Sequence, residues 1–177
     1  MARPTPSHEA LRFCPYCGRE TLRQRSAKRL ACTACGGELF INAAAAVGAL
    51  VVDEADRLLV VRRAADPAAG TWDLPGGFAD PGETAEETLR REVREETGLD
   101  LAETRYFGSE PNLYAYRGVT YPTLDLLFLA RPRGTARAAD AAEVTETAWV
   151  PRRDLDPARF GLASTRRVIA RWLAAGP

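Results

Sequence analysis

The sequence predicts an α/β domain with a mixed sheet, preceded by a small metal-binding ribbon. Three observations carry this expectation. Four cysteines, Cys14, Cys17, Cys32 and Cys35, cluster near the N-terminus and none follows. Apolar runs of the kind that form buried strands recur from residue 43 onward, bounded by Gly, Pro and Asp. Between them lies one long amphipathic segment, residues 84–97, closed by Gly98, a residue suited to the left-handed position that ends a helix. A length of 177 residues fits one domain with a small appendage, and a content of 46% apolar and 27% charged residues excludes wholesale disorder.

In chain order, residues 1–10, with Pro4 and Pro6, are expected to form a flexible tail, 11–40 the ribbon and 41–177 the main domain. The runs AAAAVGALVV (43–52) and LLVV (58–61), around the acidic turn 53–56, read as a buried hairpin. Trp72-Asp73-Leu74 is short and extended, and Pro75-Gly76-Gly77 breaks it. Residues 101–107 and 119–130 read as strands, with Pro122 marking an edge or bulge in the second. Residues 131–142 form a loop, and 143–150 alternate like a half-buried strand. Ser164 can cap a last helix that places Val168, Ile169, Trp172 and Leu173 on one face.

Charge narrows the function classes. Lys+Arg and Asp+Glu are both 24, so the chain is not a general polycation for nucleic acid. The balance is uneven, however. From residue 10 to 36, Arg12, Arg19, Arg23, Arg25, Lys28 and Arg29 stand against Glu20 alone, a net +5. No apolar run reaches the length of a membrane-spanning helix, and the first residues lack the apolar stretch of a secretory signal, so the expected compartment is the cytoplasm. The one histidine, His8, falls in the expected tail, which disfavours histidine catalysis.

Each cysteine pair is C-x-x-C followed by Gly18 or Gly36. That spacing lets a tight turn aim two thiolates at one ion, and four thiolates in tetrahedral array select structural Zn²⁺. Disulfides and a redox dithiol are the alternatives; a cytoplasmic chain and paired motifs disfavour them. With Zn²⁺ bound, the ribbon keeps a mild positive charge, which suits either RNA contact or simple solvation.

In the helix, Glu92, Glu95 and Glu96 stand at i, i+3 and i+4 and share one face beside the apolar stripe Ala85, Leu89, Val93. Carboxylates at this density repel one another unless a cation is present, and oxygen donors suit Mg²⁺ or Mn²⁺. The alternative is a solvated acidic face with arginine partners. Gly76-Gly77 permits close backbone approach, and a loop can bring Glu83 onto Arg91.

The stretch fits Gly-x5-Glu-x7-Arg-Glu-apolar-x-Glu-Glu-x-Gly-apolar at Gly77, Glu83, Arg91, Glu92, Val93, Glu95, Glu96, Gly98 and Leu99. This resembles the signature of the Nudix hydrolases, and the flanking pattern is similar over about residues 42–175. The resemblance implies an α/β/α sandwich and Mg²⁺-dependent hydrolysis of a nucleoside diphosphate linked to another moiety. It implies that Glu92, Glu95 and Glu96 are metal ligands, that Gly76 is a ligand through its carbonyl, and that Glu83 and Arg91 form the ion pair that orients the acids. A four-Cys ribbon ahead of such a domain resembles the NADH pyrophosphatase group. That group's second motif, SQPWPFP, is matched here only at Ser109 and Pro111, so ADP-ribose or a nucleotide sugar fits better than NADH or NAD. Hydrolysis of NAD-capped RNA, and a nucleic-acid-binding regulator with a ligand-sensing domain, are the alternatives. The general base is not fixed to one position in the family; Glu143, Glu146 and Asp125 are candidates. Arg62, Trp72, Phe78, Tyr114 and Asp125 are candidate substrate contacts, and a homodimer is an expectation of the resemblance alone.

Overall fold

A computed structural model describes residues 5–138 and 140–176, which form two compact units. One comprises the chain up to Ala44 together with Leu113–Thr123; the other comprises Ala45–Asn112 and the chain from Leu124 on.

The first unit begins with β1 (Thr5–Pro6) and the one-turn helix α1 (Ser7–Ala10), followed by strands β2 (Leu22–Gln24), β3 (Arg29–Cys32) and β4 (Glu38–Phe40). Strands β2, β3 and β4 form an antiparallel sheet in that order. Its register sets Leu22 opposite Cys32 and Leu30 opposite Leu39, so alternation sends these side chains to one face. There Leu22, Leu30, Cys14 and Cys32 form a small core with Leu39 and Ile41 packed against it. Residues 5–10 depart from the expected flexible tail. β1 pairs in parallel with Val119–Thr120 and Ser7 is buried, because a neighbouring strand edge supplies backbone partners. Residues 1–4 lie outside the described residues.

The remaining elements are β5 (Ala44–Val51), β6 (Arg57–Arg63), β7 (Trp72–Asp73), α2 (Ala85–Thr97), β8 (Asp100–Tyr116), β9 (Val119–Arg133), β10 (Val144–Pro151), two 3-10 turns (Arg152–Asp154 and Pro157–Arg159) and α3 (Ala163–Ala174). β9 lies between β5 and β8, and β6 lies between β10 and β7. The hairpin expected from 43–61 is thus reduced to one bridge, Val52 to Leu58. Both edges of β6 are taken: β10 pairs along its whole length and β7 pairs at Val61 and Arg62, so β5 turns away to β9. β8 continues nine residues beyond the expected 107, and β9 runs through Pro122 to Arg133.

The continuous apolar runs follow from burial on both sides. Val47, Ala49, Val51 and Leu59 pack with Leu89 and Val93 of α2, whereas Leu50, Leu58 and Val60 pack with Val168, Ile169 and Trp172 of α3. Sheet strands between two helices make the expected α/β/α layering. No helix among the described residues is long and apolar enough to cross a membrane.

Candidate active site

Helix α2 is fixed at both ends by its own sequence. Thr84 Oγ1 accepts a bond from Glu87 N (3.2 Å) and the Glu87 carboxylate accepts from Thr84 N (2.8 Å), a reciprocal cap that satisfies exposed donors. Gly98 ends the helix in the left-handed conformation at φ +68°. Leu89 and Val93 are fully buried, so the face beside them, carrying Glu92, Glu95 and Glu96, is held at the rim of the core. Glu92 and Glu96 are each 7% exposed, while the Glu95 side chain is 55% exposed.

Arg91 binds the acids from the flank. Its Nε and Nη2 donate to the two oxygens of Glu83, both at 2.8 Å. Nη1 donates to Glu92 Oε1 (2.8 Å) and Glu95 Oε2 (3.1 Å), and Nη2 also reaches the Phe78 carbonyl (3.2 Å). The Arg91 hydrogen bonds, with those from the Asp80 amide and Thr88, hold the Glu83 carboxyl down at about 2, well below the usual carboxylate range. A depressed value stabilises the fold above the unfolded carboxylate range, and that stabilisation is lost as pH falls toward 2. Glu83→Gln is therefore expected to lower Tm most at pH 7, with the difference from the parent shrinking in unfolding scans taken down to pH 3. A constant difference across that range would refute the ion pair as its source.

Gly76 meets the same face through its backbone. Its amide donates to Glu96 Oε2 (2.9 Å). The carbonyls of Pro75 and Gly77 accept from Ala49 N (2.9 Å) and Val47 N (2.8 Å), so the peptides on either side are pinned to β5. No side chain fits here: with φ at +150°, a Cβ on Gly76 would lie 2.2 Å from the Val47 carbonyl oxygen. A Cβ on Gly77 would lie 2.5 Å from the Glu92 carboxylate.

Burial pushes Glu96 well above the ordinary carboxylate value, against the Gly76 bond, and the charges of Glu92, Asp73 and Glu143 push it further. Burial also raises Glu92, against its Arg91 bond, with Glu143 and Glu95 adding to the rise. The protein therefore holds several like charges where ionisation is disfavoured, an arrangement that invites a cation.

A NUDIX domain profile matches residues 43–173, well over half of the chain. The chain belongs to the NUDIX family. It is 37% identical over 118 residues to the human 8-oxo-dGDP phosphatase NUDT18, an alignment covering 64% of this chain and 34% of that protein. It is 28% identical over 141 residues to the NAD-capped RNA hydrolase NudC of Vibrio atlanticus, covering 80% of this chain and 49% of that protein. The chain thus spans half or less of the length of these two curated relatives. The crystal structure of a NUDIX hydrolase from Nitrosomonas europaea superposes with a TM-score of 0.71 at 21% identity, covering 94% of this chain and 92% of that one.

Around the NUDIX helix, the other expected site residues divide. Glu143 is exposed in the turn just before β10, close enough for its charge to act on both Glu92 and Glu96. Glu146 is instead paired with Arg62 Nε at 2.7 Å. Arg62 also donates to the Gly70 carbonyl (2.8 Å) and lies 4.1 Å over the Trp72 ring. Trp72 corrects the expectation of a stacking platform: it is 7% exposed within the α3-side core, where strand β7 turns it inward. Phe78 is 41% exposed and bridges to Ala46 through its backbone. Asp125 lies half-buried on β9, and Tyr114 lies in the stretch that clusters with the first unit.

Sequence reasoning missed Asp73. It is 6% exposed, and its Oδ2 accepts from Arg63 Nη1 (2.9 Å) while Oδ1 accepts from Thr165 Oγ1 (2.8 Å) and Leu74 N (2.9 Å). The one available signal was an acid inside the apolar stretch Trp72–Leu74, which requires a partner when buried.

In the ribbon, the four Sγ atoms lie within 4.8 Å of one another, and no disulfide joins them. The amides of Ala34 and Cys35 both approach Cys32 Sγ at 3.4 Å, and the Thr21 hydroxyl stands 3.0 Å from it. Among the described residues this is the group whose donors are gathered tightly enough for one ion. The donor set of four sulfurs fits Zn²⁺. The NUDIX carboxylates are spread more widely; Glu92, Glu95 and Glu96 are each oriented through one oxygen by the bonds above, and a carboxylate donor set fits a hard divalent cation.

Proposed function

We propose that this NUDIX chain is a Mg²⁺- or Mn²⁺-dependent pyrophosphohydrolase that cleaves the diphosphate of a nucleoside diphosphate linked to another moiety, with ADP-ribose or a nucleotide sugar as the substrate class. The observation that carries the reading is the rim of α2, where Glu96 accepts the Gly76 amide and Arg91 holds Glu92 and Glu95 on the same face. These three carboxylates, with the Gly76 carbonyl, would hold the cation. When bound, it neutralises the diphosphate charge and makes water a better nucleophile. Arg91 steers Glu92 and Glu95, and Glu83 in turn locks Arg91. Glu143, exposed beside Glu92 and Glu96, is the general base that takes the proton of the attacking water. Glu146 and Arg62 are spent on each other, so they contribute shape. Zn²⁺ at Cys14, Cys17, Cys32 and Cys35 is structural, and ribbon 11–40 and hydrolase domain 41–177 act in the cytoplasm.

A second reading, hydrolysis of nucleotide-capped RNA, is favoured by the exposed cations of the ribbon and by the name of the Vibrio relative. A product-release panel with Mg²⁺ and with Mn²⁺ separates the readings: ADP-ribose, ADP-sugars, NADH, NAD⁺, 8-oxo-dGDP and a capped 20-mer RNA. Fastest release of a nucleoside monophosphate from ADP-ribose or an ADP-sugar is the expected result. Preference for the capped RNA, lost with Arg23, Arg25 and Arg29 neutralised, would select the second reading.

A further inference from the structure

Asp73 occupies the point where the chain changes sheets. Up to Trp72 and Asp73 the backbone pairs with β6; from Pro75 onward it pairs with β5. At such a switch the intervening amide loses its ladder partner, and Leu74 is buried, so an unpaired N–H there would be costly. Asp73 Oδ1 accepts that amide. The carboxylate is itself held from two further elements, by Arg63 at the end of β6 and by Thr165 in the first turn of α3. Arg63 is anchored in its turn, donating through Nε to the Pro67 carbonyl at 2.7 Å.

Three residues later the same segment delivers Gly76 to Glu96. Neighbouring peptides fix the segment laterally on β5, but its starting point is set by Asp73 alone of the acids described so far. We infer that Asp73 is a positioning residue: by clamping Leu74 between β6 and α3 it sets where the Gly76 peptide stands relative to Glu96, and so sets the cation affinity of the acidic face. The inference rests on the reading of that face as the cation site. The groups that orient metal ligands, rather than touch the ion, typically change affinity by tenfold or more when removed.

The test is Mn²⁺ titration of the full chain, read by the paramagnetic resonance of free Mn²⁺, with circular dichroism and thermal unfolding alongside. Asp73→Asn keeps an oxygen for Leu74 N and Thr165 but sets an amide against Arg63. It is expected to raise the Mn²⁺ dissociation constant about tenfold. Thr165→Val removes one of the three bonds and should raise it about threefold, with an unchanged dichroism spectrum. In turnover assays the half-saturating Mg²⁺ should rise while the rate at saturating Mg²⁺ stays near that of the parent. If Glu96→Gln weakens Mn²⁺ binding but both Asp73→Asn and Thr165→Val stay within about twofold of the parent, Asp73 only packs and the inference falls alone. If Glu96→Gln leaves binding unchanged, the cation-site reading falls and takes this inference with it. Should Asp73→Asn fail to fold, Thr165→Val decides by the same criterion.

Discussion

Glu96→Gln is expected to abolish turnover, by at least about a hundredfold, while leaving the fold intact and in metal-free buffer no less stable than the parent. The two halves of this expectation have one cause. Glu96 is buried and crowded by the charges of Glu92, Asp73 and Glu143, so ionising it works against the fold. Its folded value stands above its unfolded one, and stability from this group is lost as pH rises from the unfolded value through the folded one. A neutral amide keeps an oxygen for the Gly76 N–H and escapes that loss. In chelator, then, the variant's Tm should match the parent's near pH 4.5 and exceed it increasingly toward pH 8. Divalent cation should reverse the order by stabilising the parent alone. Retention of more than about a tenth of the parental rate would remove Glu96 from the catalytic set. A Tm below the parent's at pH 8 in chelator would show that the carboxylate is instead a structural partner of Gly76.

The second large effect concerns the ribbon. Its core is four buried side chains, Leu22, Leu30, Cys14 and Cys32, too few to fold a segment of this size unaided. Two of the four are themselves members of the cysteine group. Elemental analysis after native purification is expected to find about one zinc per chain, a complement Mg²⁺ cannot replace. Structural zinc contributes on the order of 10 kcal/mol in small ribbons. Stripping it, or changing Cys17 to Ser, should erase amide-exchange protection across β2, β3 and β4 while leaving that of α2 in place. Protection surviving metal removal would mean that the apolar residues suffice. Absence of zinc at purification would reopen the dithiol and disulfide alternatives.

Much of this architecture was legible because its causes are local. The helix limits at Thr84 and Gly98 follow from a capping box and a left-handed glycine, both contained in five or fewer neighbouring residues. The i, i+3, i+4 spacing put Glu92, Glu95 and Glu96 on one face without reference to anything else. The C-x-x-C pairs gathered four sulfurs because each turn is short. Even the Glu83–Arg91 contact, eight residues apart, lay within reach of one loop and the following helix.

The misreadings share the opposite property. The runs at 43–52 and 58–61 are adjacent and apolar, so they read as a hairpin, but strands choose partners by which edges are free. β10, more than eighty residues downstream, pairs along one edge of β6, and on the other edge β7 takes Val61 and Arg62, so that β5 keeps only the bridge from Val52 to Leu58. In sequence, Trp72 is open to either base stacking or packing, and the core on the α3 side decides for packing. Thr5 and Pro6, expected within a flexible tail, pair as β1 with the edge that residues 119–120 offer.

What the sequence by itself determined, then, is the inventory of chemistry: an acidic helix face, a glycine pair, a cysteine cage and the family that combines them. Only the tertiary structure decided which of these groups act on one another. It spent Glu146 on Arg62, left Glu143 exposed where its charge acts on Glu92 and Glu96, set the Gly76 amide on Glu96, and buried Asp73 where the chain passes from one sheet to the other. The physical reason is range: caps, turns and helical spacing act within a few residues, whereas burial and pairing are settled between segments that meet only when the core has formed.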